Sequence, residues 1–207
     1  MSRTKGRKSS IRLPRDLYAT PNWCIHILAD VLYNSITPHI FIHPFYLCDI
    51  SAGDGRIASI CKNKLKSKIK MHCLLIDIVK ASTTPKGCQW LIKDYNKVNL
   101  NSVFNNKQMP RLFISNPPFS LADQMVYKTV DYLNTCDSGI AVFLLRLNWL
   151  GSVKRSVWLQ HNPPNKLLVL TPRPSFTGKG TDATEYAWVM WSKNIDLGNA
   201  INIVKKA

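Results

Sequence analysis

The tetrapeptide Asn116-Pro117-Pro118-Phe119 ends an apolar run, Phe113-Ile114-Ser115, at a point where neither helix nor sheet can continue. Two prolines remove two backbone donors and fix φ, leaving a stiff loop that holds an amide, a carbonyl and an aromatic face. Such a group has a definite chemical use. The Asn116 side-chain oxygen and the Pro117 carbonyl can accept both hydrogens of a planar amine, favouring a pyramidal nitrogen and aiming its lone pair. Phe119 can stack the ring that carries the amine. The prolines keep these groups preorganised, so little reorganisation is needed at reaction. Taken alone, a double proline after a strand is more often a plain loop, and a lone phenylalanine more often core.

Three further stretches supply possible partners. "DISAGDG", Asp49 to Gly55, has glycines at Gly53 and Gly55 that let backbone approach a ligand and present amides at a helix start, with Ser51 ahead of them. It is neither the dinucleotide G-x-G-x-x-G pattern nor a Walker loop. Asp77, twenty-odd residues later at the tip of a second strand, is placed to accept bonds from ribose hydroxyls; the alternative is a helix N-cap. Asp94, after a third strand, is either a base contact or a solvated loop residue.

The elements that must position these residues follow from periodicity. "NWCIHILADVLY" has helical spacing behind Pro21. Strands are predicted in "FIHPFYLCDI", ending near Asp49, in "MHCLLIDIV", "CQWLIKDY", "PRLFISN" and "GIAVFLLRLNWL", and in "KLLVLTP" and "TEYAWVMWS". "LADQMVYKTVDYLN" is helical. Strand alternating with helix or loop predicts an α/β fold, a mostly parallel sheet with helices on both faces. The closing pair, joined through "RPSFTGKGTDA", is expected to form an antiparallel hairpin at one edge. In such sheets ligands bind beyond the carboxyl ends of the strands, where all the stretches above fall.

Composition bounds the function. The 207 residues suit one core, and 45% apolar against 19% charged residues argues against disorder. The formal charge of +16 implies a polyanionic partner, most simply nucleic acid. Residues 1–15 carry Arg3, Lys5, Arg7, Lys8, Arg12 and Arg15 and no acid, which reads as a mobile basic arm. No apolar stretch reaches spanning length and no apolar segment follows the basic N-terminus, so a soluble intracellular, cytoplasmic protein is expected. Six cysteines without a Cys-x-x-Cys pair read as reduced core residues, and scattered histidines give no zinc spacing. The lysines of "KNKLKSKIK" read as a solvated face. Trp149, Trp158 and Arg146 are either core or base-stacking groups, and Lys179 lies in a glycine-bearing hairpin or lid that could touch phosphate.

In order, "YATP", "DISAGDG", "LLID" and "NPPF" resemble the S-adenosylmethionine-dependent amino-methyltransferases, above all the DNA N6-adenine group. Tyr18, Thr20 and Pro21 match an aromatic-x-Thr-Pro element, and Asp49, Gly53 and Gly55 match a D-x-x-x-G-x-G loop. Asp77 and Asn116 to Phe119 match the acidic residue and the tetrapeptide. The segment from "LLRLNWLGSVKR" to "TEYAWVMW" looks like the tail of small phage-encoded DNA methyltransferases. The resemblance spans residues 18 to about 191.

It implies a Rossmann-like methyltransferase fold over residues 16–207 with no separate target-recognition domain, and S-adenosyl-L-methionine as cofactor. Tyr18, Thr20, Pro21, Asp49, Ser51, Gly53, Gly55, Asp77, Asp94 and Asn116 would hold the cofactor. Asn116, Pro117, Pro118 and Phe119 would serve the target amine. Arg3, Lys5, Arg7, Lys8, Arg146 and Lys179 are the expected contacts to nucleic acid, most simply DNA, and no metal is implied. Such a tetrapeptide also serves enzymes acting on guanine N2 in RNA or on protein glutamine. A binding module that has lost catalysis is ranked last, since neither the glycine loop nor the tetrapeptide is damaged.

Overall fold

The computed structural model describes residues 19–36, 44–104, 111–177 and 180–206. Tyr18, the basic arm of residues 1–15 and Lys179 lie outside them. Among the described residues eight strands form one sheet: β1 (Phe45–Asp49), β2 (Met71–Asp77), β3 (Gln89–Ile92), β4 (Arg111–Ser115), β5 (Gly139–Arg146), β6 (Lys166–Thr171), β7 (Tyr186–Lys193) and β8 (Ile201–Lys205). Their order is β3-β2-β1-β4-β5-β7-β6-β8. β1 to β5 run parallel to one another, and β7 runs antiparallel to both β5 and β6. The expected hairpin is therefore present as β6–β7. Outside it β8 adds parallel to β6, so the hairpin is interior and β8 is the edge.

Among the described residues five helices flank the sheet: α1 (Asn22–Ser35), α2 (Arg56–Leu65), α3 (Leu100–Val103), α4 (Ala122–Asn134) and α5 (Val153–His161). Because side chains alternate across a strand, the sheet divides the core in two. Leu47, Leu112, Ile114, Ile140, Val142 and Trp188 pack on one face with α1 and α2. Cys48, Phe113, Ala141, Phe143 and Val189 pack on the other with α4. α4 buries Ala122, Met125, Val126, Thr129, Val130 and Leu133, an i, i+3, i+4, i+7 stripe that fixes its docked face. The Trp188 indole donates to the Cys24 carbonyl at 2.9 Å, joining β7 to α1.

Two lysines act as internal staples. Lys128 on α4 donates to the carbonyls of Tyr95, Asn96 and Val98, holding the turn after β3 against the helix; burial lowers its pKa. Lys166 donates to the carbonyls of Leu197 and Asn199, which anchors the approach to β8. No helix among the described residues is long and apolar enough to cross a membrane.

Candidate active site

Parallel register brings four strand ends to one edge of the sheet: Asp49 pairs with Leu75 and Ile114, and Asp77 with Ile92. Beyond that edge opens a cleft of about 340 Å³. Thr20, Ser51, Gly53, Asp77, Asp94 and Asn116 all line it.

The loop after β1 is sewn to its neighbours. The Ala52 amide donates to the Ile76 carbonyl at 3.0 Å and the Ile50 amide to Ile114 at 3.3 Å. Gly53, at φ +55, turns its amide onto Asp77 Oδ2 at 2.9 Å, and the Val79 amide reaches Asp77 Oδ1 at 3.3 Å. Asp77 is thus a carboxylate oriented by backbone amides, each oxygen keeping a further lone pair for a hydroxyl. Gly55, at φ +76, is the left-handed N-cap of α2 and does not line the cleft. A Cβ there would meet Pro85 at 2.9 Å, so both the conformation and the space demand glycine.

Asp49 lies beneath this loop rather than in the cleft wall. Its side chain is fully buried, and neither oxygen meets a partner at normal hydrogen-bond geometry. Burial pushes its carboxyl up to about 8; the Ser51 and Ala58 amides oppose that rise, and Asp77 adds to it. Asp94 uses Oδ1 to cap the 3-10 turn Tyr95–Lys97 through the Asn96 amide at 3.0 Å while still lining the cleft.

At the end of β4 the tetrapeptide is cross-braced. Asn116 Nδ2 donates to Thr20 Oγ1 at 3.0 Å, and Thr20 itself is 2% exposed. Ser51 Oγ donates to the Asn116 carbonyl at 3.2 Å and also meets the Ser115 hydroxyl. Pro21 begins α1, its carbonyl accepting from Cys24 at 3.0 Å, and stands back from the cleft. Pro117 is buried, Pro118 lines the cleft, and the Pro118 carbonyl accepts from Leu121 at 2.9 Å to lead the chain into α4.

On the far side of the loop Phe119 lines a second cavity of about 240 Å³ with Ala122, Leu145, Arg146, Asn148, Trp149 and Arg155. The Arg146 guanidinium lies 4.0 Å from the centre of the Phe119 ring. Its Nε donates to the Tyr186 hydroxyl at 3.0 Å, which donates to Asp182 Oδ2 at 2.8 Å. Asp123, in the first turn of α4, accepts from Trp149 at 2.9 Å and Arg155 at 2.7 Å. Burial alone would raise its carboxyl, but bonds from Arg155, Trp149 and Lys154 hold it below the usual carboxylate range.

Two aromatic groups that the sequence left open can be placed. Trp149 is buried yet lines the second cavity, and Trp158 packs on Tyr127 at 4.4 Å. Three lysines of the run from Lys62 to Lys70 are occupied within the fold. Lys62 binds the carbonyls of Lys86 and Gly87, Lys64 pairs with Asp30, and Lys68 binds the Tyr33 carbonyl. Unforeseen contributors are Ile78 and Val79, which wall the cleft although they are 58% and 49% exposed. Their signal was present in "LLIDIV", where the apolar run continues past the acidic residue. Among the described residues no group of three or more His, Cys, Asp or Glu could hold a metal ion.

The fold is that of class I methyltransferase structures, a sheet in which one antiparallel strand is inserted among parallel ones. Over 95% of its length the chain superposes on 67% of a Listeria monocytogenes protein assigned as a class I S-adenosylmethionine-dependent methyltransferase, with a TM-score of 0.63 at 14% identity. It matches a Pyrococcus horikoshii protein assigned as an RNA methyltransferase over 86% of this chain and 88% of that one, at 0.59 and 14% identity. A third match is the methyltransferase subunit of a type I restriction-modification system from Streptococcus thermophilus, at 0.60 and 12% identity. There the chain covers 91% of itself and spans about half, 47%, of the other. No family model matches the sequence, and no curated protein matches it.

Proposed function

We propose that the chain transfers a methyl group from S-adenosylmethionine to the N6 amine of adenine in DNA. The observation that carries this reading is the bracing of Asn116 between Thr20 and Ser51 in the wall of a nucleoside-sized cleft, with Phe119, three residues on, lining a second cavity.

The cleft fits the cofactor. Asp77, aimed by the Gly53 and Val79 amides, suits a pair of ribose hydroxyls, and Ile78 and Val79 offer apolar surface to a purine ring. Gly53 has open space where a Cβ would stand, which permits close approach of a ligand to backbone. When bound, the cofactor supplies an electrophilic sulfonium methyl. Asn116 Oδ1 and the Pro117 carbonyl then accept the two hydrogens of the acceptor amine and orient its lone pair, while Phe119 stacks the extruded base. No strong base is needed before attack, because the proton becomes acidic only once the nitrogen carries the methyl; it then leaves to water.

Recognition falls to the segments around residues 146–165 and 175–185, with Arg146 and Lys179, and to the arm bearing Arg3, Lys5, Arg7 and Lys8. An acceptor base in RNA is the second reading, favoured by the mutual coverage of the Pyrococcus horikoshii structure. Incubating the protein with methyl-tritiated S-adenosylmethionine and separate DNA, RNA and protein pools, followed by nucleoside analysis, decides between them. Label in N6-methyldeoxyadenosine supports the first reading. Label confined to RNA nucleosides moves the function to RNA, and label in glutamine or in no pool overturns both.

A further inference from the structure

Cys73 and Cys88 oppose one another across β2 and the approach to β3. Leu74 is paired with Gln89, so the two cysteines occupy the preceding opposed positions. Their sulfurs lie 2.7 Å apart, closer than two sulfurs in simple van der Waals contact. Both are free thiols, Cys73 buried and Cys88 partly exposed. Neighbouring strands are spaced about 4.8 Å apart, within the Cα separation of about 4.4–6.8 Å that a disulfide bridges. The sequence reading took all six cysteines as inert core residues. Their separation of fifteen positions hid the pairing, because strand register, not local spacing, brings these two together.

The pair sits at the base of a segment that matters. Residues 78–88 connect β2 to β3, and Ile78, Val79, Lys80 and Ala81 wall the cleft. Pro85 rests on Gly55 at the head of α2. Lys62 holds the carbonyls of Lys86 and Gly87 at 3.0 and 2.6 Å, and the Cys88 amide closes on the Pro85 carbonyl at 3.1 Å. The far end of the cleft wall is thus already turned back onto α2, next to the two thiols.

We propose that Cys73 and Cys88 are a redox-modification site, joined by exchange with a low-molecular-weight disulfide such as oxidised glutathione, and that the bond clamps the wall of the cofactor cleft. Cys88 is the partly exposed sulfur, the one that an oxidant meets first, while Cys73 is buried and burial and the neighbouring Cys88 push its thiol up. The Cys88 thiolate attacks one sulfur of the small disulfide, whose S–S bond breaks to release one small thiol and leave a mixed disulfide. Cys73 gives up its proton and attacks the Cys88 sulfur; the second small thiol leaves and takes a proton. Two cysteine thiols are oxidised to one disulfide, and one small disulfide is reduced to two thiols.

The bond closes a loop of fifteen positions containing the cleft wall and removes freedom that ligand binding would otherwise have to remove. Cofactor affinity should then rise about five-fold on oxidation, at the low end of allosteric couplings. Reciprocity requires bound cofactor to make the disulfide harder to reduce by about 20 mV, from about 30 mV per tenfold change. The site itself stands apart from the methyltransferase reading; only its effect on cofactor binding rests on that reading.

The test equilibrates the full chain in glutathione buffers of graded poise, alkylates it and maps the cysteines by peptide mass spectrometry. Hydrogen exchange of residues 78–88 and calorimetric titration with S-adenosylmethionine follow on the oxidised, reduced and Cys88→Ser proteins. The expected result is a Cys73–Cys88 cross-link, slowed exchange in the segment and tighter cofactor binding, all absent from Cys88→Ser. A folded protein whose two cysteines alkylate independently at every poise overturns the site. A mapped cross-link with exchange and affinity equal to those of the reduced protein overturns the clamp. If no form binds the cofactor while the cross-link still slows exchange, the methyltransferase reading fails and the redox site stands.

Discussion

Asn116 Nδ2 donates to the hydroxyl of Thr20 at 3.0 Å across 96 positions of sequence. An amide can present either end to a ligand; this bond commits its nitrogen to the protein and makes Oδ1 the acceptor end. The Thr-Pro element ahead of α1 is thereby coupled to the acceptor loop, as well as starting a helix.

Thr20→Val tests that coupling. The side chain is 2% exposed and the replacement conserves its volume, so the fold should survive. An amide donor left without its acceptor costs about 1–3 kcal/mol, and methyl transfer should slow roughly tenfold or more with cofactor affinity little changed. Asn116→Ala should cost on the order of 10²–10³ in rate. In that background Thr20→Val should add almost nothing, because the two residues act through one bond. Additive losses in the four-protein cycle would show that Thr20 acts elsewhere.

Asp77→Asn replaces a group accepting from two amides with one that can accept through a single oxygen. Its NH₂ must then face the amide of Gly53 or Val79, two donors in opposition. Calorimetry should show cofactor affinity reduced about 10- to 100-fold, equivalent to roughly 1.4–2.8 kcal/mol. Unchanged affinity would remove Asp77 from the site.

Parts of this arrangement were legible in sequence for a stated reason. Strand β4, the double proline and the glycine turn each impose a local constraint on φ or on side-chain alternation, and the succession of the first seven strands along the chain followed from apolar runs. What escaped depends on distant partners. β8 has alternating exposed isoleucines, Ile201 and Ile203, and its approach is anchored by Lys166, a lysine that any periodicity treats as solvent-facing. α5 buries none of its residues, so its sequence carries no docking stripe. The position of Asp49 beneath the loop rather than in the cleft is set by the Ile50–Ile114 and Ala52–Ile76 bonds, which no spacing encodes.

Asp49 predicts a pH dependence. Its folded carboxyl is raised to about 8 from 3.8, first by burial. The folded state therefore binds more protons than the unfolded one between those limits, and stability must fall as pH rises through that window, by up to about 1.4 kcal/mol per unit. Asp123, held low, acts with the opposite sign and only in acid, below about pH 4. Urea melts at pH 5, 6, 7 and 8 should show a steady decline that Asp49→Asn flattens. A wild-type slope equal to that of the variant would mean that Asp49 ionises freely in the folded protein.

Phe119 is the residue whose chemistry is most exposed to test. Its ring is covered by the Arg146 guanidinium at 4.0 Å, and Arg146 is itself held by Tyr186. The guanidinium takes one face of the ring by a cation–π contact, so a stacked purine would use the other face or displace Arg146. Stacking is worth about 1–3 kcal/mol per base, so Phe119→Ala should raise KM for nucleic acid by roughly 5- to 150-fold. Cofactor affinity should be unchanged, because Phe119 lines the second cavity and not the cleft. Phe119→Tyr keeps the face and should keep activity. Arg146→Lys retains the charge but loses the plane. If Arg146 only packs on the ring, this variant will leave the salt dependence of binding intact; if Arg146 also meets phosphate through planar, bidentate bonds, affinity will fall. Steady-state kinetics on the four proteins separate these effects. Phe119→Ala with wild-type KM and kcat would show that the ring is packing, and that the base is held elsewhere.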